Sequence, residues 1–140
     1  KYPIYSDEDA GKREADYNEI RLAEIYYSLA ECKFKANDVD GAAKLLNAVR
    51  KRNYPQDTWA EYLYKPEGTV TLTQDELYDE WGREFLAEGR RRTDLIRWGL
   101  YCTEEWWDKK PDADSHWDIF PIPRDMMGAD HTLKQNPGYN

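Results

Sequence analysis

Residues 16–36 read DYNEIRLAEIYYSLAECKFKA. Polar residues recur at Arg21, Glu24, Ser28, Glu31 and Lys35, three or four positions apart, which is the repeat of one helix face. Nearly everything between them is apolar: Ile20, Leu22, Ala23, Ile25, Tyr26, Tyr27, Leu29, Ala30, Cys32 and Phe34. A helix that is apolar around most of its circumference packs on more than one side. Glu31 and Lys35 stand in the favourable order for an (i, i+4) ion pair on its wet stripe.

Outward from that helix, Asn37-Asp38 makes a turn, and Asp38 or Asp40 is available to cap a second helix. The spacing predicts this helix over residues 39–52, burying Ala42, Ala43, Leu45, Leu46 and Val49, with Pro55 as its stop. The short turn makes the two helices an antiparallel hairpin. Tyr26, Leu29 and Ala30 on the first and Ala42, Leu46 and Val49 on the second resemble one tetratricopeptide unit, with Lys33 where that repeat prefers an aromatic. Such units need roughly three or more copies to bury their faces. One hairpin therefore implies further helical neighbours.

Residues 54–71 follow as a long connection carrying Tyr54, Trp59, Tyr62 and Tyr64 among Pro55, Pro66 and Gly68. Long connections in compact domains are commonly functional or disordered. Thr73-Gln-Asp-Glu76 reads as a capping box. It opens a third predicted helix over residues 74–88, with Leu77, Trp81 and Phe85 on one face and Gly89 as its end. A fourth is expected over residues 92–101, burying Leu95, Ile96, Trp98 and Leu100. Residues 102–140 carry Trp106, Trp107, Trp117 and four prolines, and are expected to be irregular with short helical turns at most.

The formal charge of −8 argues against phosphate-backbone recognition, which needs a basic face, so no nucleic acid partner is expected. It also disfavours adsorption to an anionic membrane surface. No apolar run approaches the ~18–20 residues that span a bilayer. Cys32 and Cys102 form neither a CxxC pair nor a dense framework, so spacing alone leaves a bridge between them open. His116 and His131 lack a ligand partner at helical spacing, and the acidic residues around His116 (Asp112, Asp114 and Asp118) lack the EF-hand pattern. No metal and no cofactor is expected. No GxSxG elbow, phosphate loop or spaced acid pair points to catalysis. The charged run from Glu80 to Arg97 nearly balances in sign and reads as internal ion pairing, with Glu80–Arg83 and Glu88–Arg91 or Glu88–Arg92 at helical spacing.

The aromatics are the residue class left to carry function. The chain holds 6 Trp and 11 Tyr against 3 Phe, and both enriched types join a flat apolar face to a polar tip. Trp59, Tyr62 and Tyr64 are the expected ligand contacts, because no helix in that connection is visible to pin them. Trp106 and Trp107 are adjacent, so in an extended segment their rings point to opposite sides.

Three segments in order resemble the C-terminal region of the SusD/RagB family. The first is RLAEIYYSLAE (residues 21–31) with LNAVRKR (46–52). The second is Glu80-x-x-Arg83-Glu-Phe-Leu-Ala-Glu-Gly89, continuing Arg91-x-x-Asp94-Leu-Ile-Arg97-Trp-Gly99. The third is Pro121-Ile-Pro123 with Gln135-Asn-Pro-Gly-Tyr139. Trp81 stands where the family often has a basic residue, and Arg92 where it often has an aromatic. The resemblance implies an all-α fold of tetratricopeptide-like helical hairpins with a long irregular C-terminal segment. It implies a non-enzymatic, surface-exposed outer-membrane lipoprotein that binds an oligosaccharide or a peptide and passes it to a TonB-dependent, SusC-like transporter.

On that resemblance, residues 1–140 are expected to be the C-terminal part of a longer protein: a lead-in over 1–15, a helical region over 16–101 and an irregular wrap over 102–140. The family's N-terminal part and its lipid-bearing cysteine lie outside this chain, so a lipid anchor elsewhere would be its link to the membrane. The alternative is a helical-repeat protein–protein interaction module, or a peptide-binding member with no sugar contact in this segment.

Overall fold

Asn37 and Asp38 organise the first hairpin. Asn37 takes a left-handed backbone conformation, with φ of 62°. Its N–H donates to the Phe34 carbonyl at 2.9 Å, and the Asp38 N–H reaches back to the Lys33 carbonyl at 2.9 Å. This closure satisfies the last carbonyls of α1 (Leu22–Lys35), with asparagine in the place more often taken by glycine. Asp38 at once caps α2 (Val39–Arg50), its carboxylate accepting from the Gly41 N–H at 2.9 Å. The Lys33 ammonium also binds that carboxylate at 2.7 Å. Together these donors hold the Asp38 carboxyl below its usual range, Lys33 contributing most.

The computed structural model describes residues 19–139. The lead-in over 1–15 and the start of the first predicted helix, 16–18, lie outside the described residues. The chain divides into two compact units, Lys1–Trp81 and Gly82–Asn140.

In the first unit, α1 begins at Leu22 because Arg21 is extended (φ −124°, ψ 156°). Its buried residues are Ala23, Tyr27, Ala30 and Glu31, and α2 buries Ala42, Ala43, Leu46, Asn47, Val49 and Arg50. Small residues on both faces let the two helices pack closely. Glu31 was expected on a wet stripe but is buried, and still reaches Lys35 at 2.8 Å. Leu22, Ile25 and Leu29 form an exposed row on the other side of α1. After α2 come a 3-10 turn at Gln56–Thr58 and a short helix α3 (Trp59–Tyr62), both in the connection read as lacking helix. Next, Lys65 N–H donates to the Val70 carbonyl and Val70 N–H to the Leu63 carbonyl, at 2.9 and 3.1 Å. Gly68 fits inside this loop because a Cβ there would lie 2.2 Å from the Leu63 carbonyl oxygen.

The Thr73 hydroxyl caps α4 (Gln74–Glu84) by accepting from the Glu76 N–H at 3.2 Å. This helix stops four residues before the predicted end. Three residues past its end, Ala87 adopts φ of 64°, so the chain does not run helically to Gly89. Leu77 and Trp81 are buried, and Trp81 meets the Tyr27 ring edge-on at 5.5 Å.

In the second unit, α5 (Arg91–Arg97) buries Asp94 and Leu95 and ends before Gly99, whose φ of 74° turns the chain away. Ile96, Trp98 and Leu100, expected in the core, are only half-buried. The Asp94 carboxylate accepts from Arg90 at 3.0 Å and Arg97 at 2.9 Å. Arg92 lies 4.0 Å above the Phe120 ring and donates to the Trp117 carbonyl at 2.6 Å, which anchors the tail. The tail holds a 3-10 turn at His116–Asp118 and a short helix α6 (Arg124–Ala129). Its two proline-bearing motifs bind each other. The Gln135 amide accepts from the Ile122 N–H at 2.7 Å and donates to the Ile122 carbonyl at 2.9 Å, imitating a strand partner for Pro121-Ile-Pro123. Tyr139 donates to the Ile119 carbonyl at 2.8 Å. Cys32 and Cys102 are both free thiols.

Candidate functional site

The aromatic connection is built on the last turn of α2. Asn47, fully buried, treats Tyr64 as a strand neighbour: its Nδ2 donates to the Tyr64 carbonyl and its Oδ1 accepts from the Tyr64 N–H, each at 2.9 Å. One turn later, Arg50 extends its guanidinium under the connection. Nη2 and Nε donate to the Tyr62 carbonyl at 2.7 and 3.2 Å. Nη1 donates to the Tyr64 hydroxyl at 3.0 Å and binds Glu80 Oε2 at 2.5 Å. The guanidinium carbon also lies 4.5 Å from the Tyr64 ring centroid and 5.4 Å from that of Tyr54. A planar, five-donor group suits this position because it binds oxygens in its plane while aromatic rings cover its faces.

Tyr64 is the correction to the sequence reading. It is fully buried, and its hydroxyl donates to Glu76 at 2.9 Å while accepting from Arg50. Burial first, and then the Glu80 charge, push its ionisation far above the ordinary tyrosine value. Its ring is a core element with no face for a ligand. It looked free in the sequence because Asn47 and Arg50, which hold it, lie 17 and 14 residues away.

Tyr62 and Trp59 lie nearer the surface. Tyr62 is 39% exposed and stacks on Tyr54, with ring centroids 4.7 Å apart and planes within 9°. Glu61 raises the Tyr62 hydroxyl's ionisation by its charge and by hydrogen bonding. Trp59 is half-buried, its indole N–H donating to the Tyr54 carbonyl at 2.9 Å, with the Lys51 ammonium 5.0 Å over its ring. Tyr54 is thus the residue that joins the expected pair, and sequence reading missed its role. Its sequence signal is its place before Pro55, on the α2 side of a turn that returns Tyr62 to it.

The result is a rigid ledge with a stacked tyrosine pair at its rim. Such a surface can receive the flat C–H face of a sugar ring. Two carboxylates near it, Glu76 and Glu80, are engaged inside: Glu80 accepts from Tyr27 at 2.8 Å and from Arg50, and Glu76 accepts from Tyr64. Across the fold, Glu80 is held by Arg50 and Tyr27. Among the described residues, no group of three or more His, Cys, Asp or Glu side chains is placed to hold a metal ion. No helix among them is long and apolar enough to cross a membrane.

A sequence model of the SusD family matches residues 5–116. The chain belongs to the SusD family. It is 37% identical over 132 residues to the starch-binding protein SusD of Bacteroides thetaiotaomicron, covering 86% of this chain and 21% of that protein. It is 36% identical over 82 residues to a SusD-like protein of Formosa agariphila, covering 58% of this chain and 15% of that one. The crystal structure of a SusD-like protein from Bacteroides fragilis superposes with a TM-score of 0.60 at 24% identity, covering 89% of this chain and 26% of that one. The tetratricopeptide-like helical fold is therefore shared. This SusD-family chain spans about a fifth of the length of the first relative.

Proposed function

We propose that this chain is the C-terminal part of a non-catalytic, surface-exposed glycan-binding lipoprotein that delivers oligosaccharide to a TonB-dependent outer-membrane transporter. The Tyr54–Tyr62 stack carries the reading: an exposed Tyr62 ring stacked on a half-buried Tyr54 and held through its carbonyl by Arg50, beside carboxylates that are already occupied. Membership of the SusD family supports capture rather than catalysis, and the starch-binding relative supports a sugar as the ligand class. Trp59 lines the same ledge and fixes Tyr54 through its indole hydrogen bond.

The test is calorimetric titration with maltoheptaose and other neutral oligosaccharides, comparing wild type with Tyr62→Ala. Stacking on an aromatic ring is worth enough that the variant should bind about tenfold more weakly. Unchanged affinity in Tyr62→Ala would remove the ledge from the ligand site. Absence of oligosaccharide binding by the wild type would refute the glycan reading. The exposed row Leu22, Ile25 and Leu29 on α1 favours a second reading, a helical-repeat module contacting protein. Under it, polar substitutions on that row would abolish complex formation and leave sugar titrations unaltered.

A further inference from the structure

Trp106 and Lys109 close a two-residue turn. Trp106 N–H donates to the Lys109 carbonyl at 2.9 Å and Lys109 N–H to the Trp106 carbonyl at 3.0 Å. The Lys109 side chain ties down the base of this turn. Its ammonium lies 4.9 Å over the Trp106 ring, 2.8 Å from the Asp112 carboxylate and 3.1 Å from the Lys110 carbonyl. Trp106 is thereby fixed and half-buried. At the tip, Trp107 is 95% exposed, the highest value among the exposed large hydrophobic residues.

A tryptophan in water leaves a large apolar surface unsatisfied. Here the backbone beneath it is already ordered, so a ligand settling on the ring incurs little further loss of chain entropy. The surroundings identify that ligand. Thr103, Glu104, Glu105, Asp108 and Lys110 are all exposed, so this stretch sets the ring among polar side chains. A protein hot spot normally sits within an apolar, water-excluding patch. A sugar needs the opposite arrangement: one flat apolar face beside acceptors for hydroxyl groups. Three acidic residues, against a lysine committed to Asp112 and one other lysine, disfavour an anionic polymer.

We propose that Trp107 is a stacking platform for a neutral glycan, a contact separate from the Tyr54–Tyr62 ledge. The proposal rests on the glycan-binding reading above and adds a contact to it.

The test uses protein labelled with 5-fluorotryptophan, with the Trp107 fluorine resonance assigned by its loss in Trp107→Phe. Maltoheptaose, cellohexaose and laminarihexaose are titrated in turn. The expected result is a saturable shift of the Trp107 resonance with at least one of them. Trp107→Ala should weaken that binding about tenfold, and Trp107→Phe should weaken it less. Far-UV circular dichroism should match wild type in both variants. Sugar binding with an unmoved Trp107 resonance and unchanged affinity in Trp107→Ala would overturn the platform and leave the tyrosine ledge standing. No binding of any of the three sugars would overturn the platform together with the glycan reading.

Discussion

Replacing Arg50 with methionine tests the internal frame of the ledge. The Arg50 and Glu80 side chains are 7% and 5% exposed, and their charged atoms lie 2.5 Å apart. Methionine fills much of the same volume but removes the guanidinium, which also donates to the Tyr62 carbonyl and the Tyr64 hydroxyl. Removing one partner of a buried ion pair costs about 3–5 kcal/mol, because the remaining charge keeps its desolvation penalty. Domains of this kind are stable by about 5–15 kcal/mol, so the variant should lose a large fraction of its stability. Urea denaturation followed by tryptophan fluorescence reads this as a lower midpoint at similar slope. Adding Glu80→Met removes the stranded carboxylate, and the double variant should regain part of the loss. The hydrogen bonds from Tyr27 to Glu80 and from Arg50 to Tyr62 stay lost, at roughly 1 kcal/mol each. A cost for Arg50→Met below about 1 kcal/mol, the value of an exposed pair, would mean that Arg50 does not hold the ledge as a buried ion pair.

Gly68→Ala places a methyl group 2.2 Å from the Leu63 carbonyl oxygen and should cost about 1–3 kcal/mol in urea denaturation through overpacking. Tyr64→Phe removes a hydroxyl bound to both Arg50 and Glu76 and should cost about 1–3 kcal/mol while leaving oligosaccharide affinity unchanged, since the ring is buried. Acid should loosen the α2 cap and two tail turns. The Asp38, Asp114 and Asp130 carboxyls are all held below the usual 3.8, chiefly by Lys33, by the His116 backbone N–H and by the Thr132 hydroxyl respectively. A carboxyl depressed on folding stabilises the fold fully above its unfolded value and loses that contribution as pH falls through its folded value. Melting temperature should therefore drop as pH falls below 3.8, less steeply in Asp38→Asn, and a flat profile through that range would contradict the assignment.

Local signals carried the helical frame into the sequence. The Asn37-Asp38 turn, the Asp38 cap and the alanine-leucine face of α2 depend on neighbours a few residues apart, which a single helical period reveals. The Thr73 cap of α4 was legible for the same reason. Three features were not. α4 stops at Glu84, and nothing in the residue type of Ala87 signals its left-handed backbone three residues on, which bars a helix as far as Gly89. The buried side of α1 is the alanine and Tyr27 side, while the bulkier Leu22, Ile25 and Leu29 face outward. Composition alone ranks those faces the other way. In the ledge, Arg50 and Asn47 hold Tyr62 and Tyr64 through contacts 12 to 17 residues apart. The aromatic cluster was visible as a cluster, but which ring is core and which is rim depends on those distant partners.

The most direct test of glycan capture is tryptophan fluorescence, titrated with neutral oligosaccharides, of this chain alone and of the full-length protein. Glycan capture in this segment gives a saturable change in both, lost from neither by Tyr64→Phe and weakened in both by Tyr62→Ala. A change in the full-length protein alone would contradict the placement of sugar contacts in residues 19–139, and no change in either would contradict glycan capture itself.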